Sequence, residues 1–100
     1  MKLNFECIKD VLLFLEKELQ LDDMFELIPL SASDIYKALT QYTAKEIYYT
    51  LKKLAEEGYI CAKIESRQVS TNRYKSFYCV SDITFKGHQY LNSVRNQSGI

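Results

Sequence analysis

The chain has no tryptophan, one histidine and one proline, and its thirteen basic and thirteen acidic side chains cancel. Each shortage removes a class of protein. Cys7, Cys61 and Cys79 are odd in number, widely spaced and without a CxxC pair, and one histidine cannot complete them. Neither a zinc site nor a disulfide framework is expected, only three free thiols in or near a core. No cofactor is implied. The longest purely apolar run, Val11 to Leu15, falls far short of the roughly 20 residues that cross a bilayer. Lys2, Glu6 and Asp10 do not make a signal peptide, so a cytoplasmic protein without membrane contact is expected. No repeat, low-complexity tract or linker breaks the 100 residues. Residues 1–100 read as one domain, with 1–3 and 97–100 frayed.

What is present is ordinary globular composition, 47% hydrophobic and 26% charged, with the charge unevenly placed. Residues 1–34 hold three basic and eight acidic side chains, and residues 35–100 hold ten basic and five acidic. Such a chain can present an acidic side and a basic side.

Hydrophobic spacing divides it into elements. Phe5, Ile8, Leu12, Leu15 and Leu19 recur every three or four residues, which predicts an amphipathic helix over Asn4 to Leu19. "FELIPL" is short and apolar, and Pro29 limits it to an edge strand or an extended approach. Ser31 to Asp34 is a capping-box start for a short helix with Ile35, Ala38 and Leu39 inward. Gln41 and Tyr42 turn the chain into "TAKEIYYTLKKLAEEGYI", where Thr43 and Glu46 form a second capping box. Ile47, Leu51 and Leu54 mark that helix's inner face, and Gly58 stands where a left-handed C-cap belongs. "YICAKIE" alternates with Ile60, Ala62 and Ile64 on one face, a strand. "SRQVSTNR" is polar and turn-prone, "YKSFYCV" is strand-like, and Thr84 opens a last helix through Tyr90, Leu91 and Val94. One core is expected from Leu12, Leu15, Ile47, Leu51, Leu54, Ile60 and Leu91, with Tyr36, Tyr48 and Tyr59 at its margin.

Two short helices joined by a tight turn and followed by a β-hairpin form a winged helix-turn-helix. "EIYYTLKKLAEEGYI" resembles the recognition helix of that family running into its first wing strand. "ITFKGHQYLNSVRN" resembles the opening of its closing helix. "KGHQYL" followed by "VRN" is most similar to a family of short uncharacterised bacterial and phage proteins, in which tryptophan commonly stands at Phe85 and histidine at Thr50. The resemblance implies an α+β winged helix: a three-helix core, a β-hairpin wing and a C-terminal helix.

In such a fold the groove-facing residues lie opposite the core stripe, toward the helix N-terminus. Here those are Thr43, Lys45, Tyr49 and Lys52, with Lys53 beside them. The lysines suit phosphates, and Tyr49 suits a phosphate, a sugar or a base edge. A merely solvated face, with Lys52–Glu56 and Lys53–Glu57 as i,i+4 pairs, explains the same residues. From Ser66 to Ser81 there are three basic residues, Arg67, Arg73 and Lys75, and no acid. That loop suits a clamp on the DNA backbone, or a charged hairpin that resists edge-to-edge aggregation. His88 has no nucleophile, orienting partner or metal set in the sequence, so it reads as a structural residue packed beside Thr84 and Phe85, with Gly87 allowing close contact. A non-enzymatic protein that binds double-stranded DNA is therefore expected, a small transcriptional regulator or phage accessory factor. By analogy of fold it is a homodimer through the Asn4–Leu19 helix and the C-terminal helix. The alternative is a protein-interaction module using the acidic stretch Glu16 to Glu26 or the tyrosine-rich faces.

Overall fold

A computed structural model of the protein describes residues 1–98, without the side chains of Arg67, Asn96, Gln97 and Ser98. The elements run α1 (Phe5–Glu18), β1 (Leu30–Ser31), α2 (Ala32–Ala38), α3 (Ala44–Glu56), β2 (Ile60–Ser70), β3 (Arg73–Ile83) and α4 (Phe85–Ser98). The fold is α+β, four helices with one antiparallel sheet in the order β1-β3-β2.

Side-chain caps start the helices. The Asn4 side chain accepts from the N–H groups of Glu6 and Cys7 at 3.0 and 3.3 Å, satisfying two donors that α1 leaves unpaired. Ser31 does the same for Asp34 at 3.1 Å, so the residue ending β1 also opens α2. At α3 the capping box is reciprocal: Thr43 Oγ1 accepts from the Glu46 N–H at 3.1 Å, and Glu46 Oε1 accepts from the Thr43 N–H at 3.2 Å. Gly58, at φ +76°, ends the turn after α3 in the left-handed region.

Leu12, Leu15, Ile47, Leu51, Leu54, Ile60 and Leu91 do share one core, joined by Cys7, Val11, Ile35, Val80 and Ile83. Two inward assignments are corrected. Phe5 is 66% exposed, and the covered flank of α1 runs through Cys7 and Val11 instead. α3 packs on that flank, where the Thr50 hydroxyl donates to Cys7 Sγ at 3.4 Å. Ala38 is exposed because α2 ends there, and Leu39 makes the core contact. Of the margin tyrosines, Tyr59 packs against the core, while Tyr36 and Tyr48 are more exposed.

The sheet positions the candidate site. β1 pairs with β3 at Leu30–Val80 and Ser31–Cys79, an edge strand entered directly after Pro29. β2 and β3 pair from Ile60–Ile83 out to Ser70–Arg73. The segment expected as a polar turn is therefore mostly strand, and only Thr71 and Asn72 turn the chain. Asn72 takes φ +66°, which asparagine tolerates better than most residues. A ladder satisfies the backbone of this polar stretch, so it extends as a ribbon into solvent. The molecule measures 54 × 36 × 23 Å. Ile64, expected on one face with Ile60 and Ala62, is 70% exposed while Ile60 is buried, and a register shift between Cys61 and Ala62 interrupts the strand between them.

α4 returns across the body. Thr84 Oγ1 accepts from the Gly87 N–H at 3.1 Å and donates to the Gly58 carbonyl. Arg95 Nη2 donates to both Glu16 carboxylate oxygens at 2.8 and 2.9 Å, tying α4 to α1. α4 is helical through Ser98, and residues 99 and 100 lie outside the described residues.

Candidate nucleic-acid interface

α3 buries Ile47, Thr50, Leu51 and Leu54. At 100° per residue the opposite stripe is Lys45, Tyr49, Lys52 and Glu56. Lys45 and Lys52 are exposed and Tyr49 is half-buried. Thr43 is exposed too, but its hydroxyl serves the cap, accepting from the Glu46 N–H and lying 3.2 Å from Glu46 Oε1. The bond from the Thr43 N–H holds the Glu46 carboxyl below its usual range, so an anion flanks Lys45.

Lys53 belongs elsewhere. Its Nζ pairs with Glu56 at 3.1 Å and sits 5.5 Å from the Tyr49 ring centre. It also borders a hollow on the α1 and α4 side of the helix, with Phe5, Ile8, Tyr59 and Tyr90. Glu56 raises its pKa, which keeps the ammonium charged. The pair is i,i+3, in place of the i,i+4 partner Glu57 expected from the sequence.

On the other flank, α3 meets the hairpin. Tyr48 and Lys52 line a hollow of about 270 Å³ with Ile64, Ser76, Phe77 and Tyr78. An adjoining hollow of about 150 Å³ is lined by Tyr48, Ser31, Ser33, Lys75, Ser76 and Phe77. Lys52 and Lys75 thus stand on either side of Tyr48, with Lys75 Nζ 5.6 Å from the Phe77 ring centre. Arg73 is exposed at the outer end of the ribbon, paired in register with Ser70. Arg67 lies opposite Lys75 along the backbone, and its side chain is outside the described residues. At the ribbon's base Lys63 pairs with Glu65 at 3.5 Å. Lys52 and Lys75 thus border the hairpin flank of α3, Lys45 shares the outward stripe with Lys52, and Lys53 borders the opposite flank.

Tyr48 and the serines Ser31, Ser33 and Ser76 join this site only through the tertiary fold. From the sequence Tyr48 is expected only at the core margin. Its neighbour across the groove comes from β3, some thirty residues later, which periodicity within α3 does not reveal.

Among the described residues, the cysteines and His88 stand in separate places. Burial raises the Cys7 thiol, Cys79 is also buried and Cys61 is exposed. His88, expected to pack beside Thr84 and Phe85, is exposed at the rim of a hollow with Leu15, Glu16, Leu19, Leu27, Asp82 and Ile83. Gly87 does provide the close contact, because it lies against the Tyr59 carbonyl. Among the described residues no three His, Cys, Asp or Glu side chains stand together as metal ligands. Among the same residues no helix is long and apolar enough to cross a membrane.

No curated protein and no solved structure matches the chain. Residues 2–99 match the family model described as "Hypothetical protein (DUF2513)", and the chain belongs to that family.

Proposed function

We propose that this protein is a winged helix-turn-helix domain that binds double-stranded DNA, a small non-enzymatic regulator or accessory factor. In this reading α2 and α3 are the helix-turn-helix, and the β2–β3 ribbon is the wing. The element order and the short turn between α2 and α3 support it. The observation that carries it is the placement of Lys52 on α3 and Lys75 on the ribbon in adjoining hollows that share Tyr48, with Lys45 exposed on the same stripe of α3 and Arg73 exposed further out on the ribbon. α3 enters the major groove and the ribbon follows the sugar-phosphate backbone.

The outward stripe of α3 carries no arginine, asparagine or glutamine to read a base bidentately. Phosphate contact therefore dominates, and binding tolerates many sequences. Tyr49 is the residue placed to add preference. Thr43 contributes by holding the first turn in shape, since its hydroxyl is engaged by Glu46. The protein acts as a homodimer through α1 and α4, which are tied together by Arg95 and Glu16 and leave Phe5 and Phe85 exposed.

Titration of a labelled duplex at low salt tests the reading. Lys52→Ala and Lys75→Ala should each weaken binding to all sequences alike. Absence of binding by the folded wild-type protein would sink it. A protein-interaction module is then the reading left, favoured by Met24 and Phe25, exposed in the acidic stretch before β1.

A further inference from the structure

Between α1 and β1 the chain builds a small closed turn. Leu21 and Leu27 bridge in antiparallel fashion. The Asp22 N–H donates to the Glu26 carbonyl at 2.8 Å, and the Phe25 N–H donates to the Asp22 carbonyl at 3.0 Å. Asp22 Oδ1 accepts from the N–H groups of Met24 and Glu26 at 2.8 and 3.0 Å. These bonds hold Met24 and Phe25 at the tip, 80% and 82% exposed. Phe25 adopts φ +64°, a left-handed conformation that a bulky residue enters at a cost. It loses backbone energy there and gains no burial within its own chain. Asparagine or glycine would relieve the strain and remove the exposed ring.

The molecule also carries a hollow of matching character. Phe5 and Ile8 of α1, Leu54 and Lys53 of α3, and the stacked rings of Tyr59 and Tyr90 line about 280 Å³. An enclosed apolar cavity of about 150 Å³ accepts benzene, so this space takes a phenyl ring with a thioether beside it. Lys53 lines it, and Lys86 lies 5.0 Å from the Tyr59 ring centre while donating to the Glu57 carbonyl at 3.0 Å. Acids are present here as well: Glu57 in the lining and Glu56 on Lys53. Each ammonium still has donors to spare for the acids beside Phe25, which are Asp22, Asp23 and Glu26. The turn packs by Leu27 near Leu15 and Leu19 at one end of α1, whereas the hollow lies by Ile8 near the other. Eleven helical steps separate Ile8 from Leu19, roughly 16 Å, so the ring and the hollow are placed to meet between molecules.

We propose that Phe25 of one copy, with Met24 beside it, seats in the hollow between α1 and α4 of a second copy. The contact deepens the homodimer reading and rests on it. A twofold pair makes the contact twice and closes, and without that symmetry the same contact repeats into larger species. A ring and a thioether bury less than the roughly 800 Å² per partner of a standard interface, so the association is weak and concentration-dependent.

Sedimentation of the full chain without DNA, from about 10 µM to about 1 mM, reads it. Wild type should associate across this range. Phe25→Asn keeps the left-handed turn but removes the ring, and should be monomeric throughout. Phe5→Glu, at an exposed first-turn position where an acid suits the helix dipole, spoils the hollow and should also be monomeric. An equimolar mixture should form a one-to-one complex, because one variant keeps its ring and the other keeps its hollow. Circular dichroism of each variant should match wild type. A wild type that stays monomeric overturns both the contact and the homodimer reading. Wild-type association that survives both substitutions, or variants that fail to complement each other, overturns this contact alone.

Discussion

Gly87 in the first turn of α4 lies against the carbonyl of Tyr59 just ahead of β2, so closely that a Cβ would overlap that oxygen and come within 2.7 Å of Ile83 Cγ2. The same carbonyl accepts from the Thr84 N–H at 3.0 Å. Backbone meets backbone here, so no side chain can swing aside to make room. Gly87→Ala should therefore lower stability by about 1–3 kcal/mol through overpacking. Gly58 has open space around its Cα, and its φ of +76° is the whole constraint. Gly58→Ala should cost about 1 kcal/mol, and Gly58→Asn less, because asparagine accepts the left-handed region. Denaturant unfolding of the three variants checks the order, and an innocuous Gly87→Ala would refute the close packing of α4 on β2.

Leu51 is fully buried in the centre of α3's inner face. Leu51→Ala should cost roughly 2–5 kcal/mol, the range for a large-to-small change in a core that relaxes only in part. A loss below about 1 kcal/mol would mean that another face of α3 meets the core.

The Tyr42 hydroxyl donates to Asp10 Oδ2 at 2.6 Å, pinning the turn before α3 to α1. Burial first, and then the Asp10 carboxylate, favours the protonated phenol and raises its pKa above the free value of about 10. The folded state thus keeps this proton to higher pH than the unfolded chain. The resulting stability is fully present below about pH 10 and is lost as pH rises through the folded value. Tyr42→Phe should reduce stability by about 1 kcal/mol at neutral pH and flatten the alkaline decline. An alkaline limb of unchanged slope would show that the phenol is not held.

Five basic side chains remain for DNA once Lys53 is set aside: Lys45, Lys52, Arg67, Arg73 and Lys75. With all five on phosphates, log K against log salt should fall with a slope of about −4.5 per protomer. Lys52→Ala should reduce that slope by about 0.9, whereas Lys53→Ala should leave it unchanged. Arg73→Ala together with Arg67→Ala should flatten it by about two and weaken all sequences alike. A slope that responds to Lys53 as it does to Lys52 would place the DNA on the wrong side of α3.

Much of the fold is local and could be read directly from the residues. A cap is a bond between neighbours, so Thr43 with Glu46, and Ser31 with Asp34, announced two helix starts. Gly58 announced an end because a left-handed φ suits glycine. Ile47, Leu51 and Leu54 revealed the covered face of α3 because their spacing leaves only one face apolar. The uneven charge was also present in the sequence, with its acid-free run from Ser66 to Ser81.

Other features depend on what a second element covers. Both flanks of α1 are apolar, and only the packing of α3 decided that Cys7 is buried while Phe5 is exposed. Alternation placed Ile60 and Ile64 on one face of β2, but it carries no information on the register shift that pairing with β3 sets between Cys61 and Ala62. Lys52 and Lys53 are neighbours in sequence, yet a helix turns 100° between them. That rotation sends Lys52 toward Lys75 across the Tyr48 groove, and Lys53 toward Glu56 and the aromatic hollow. Composition and spacing determined the helices and the amount of charge. Only tertiary packing decided which charges share a surface, because partners distant in the chain set the two sides of α3.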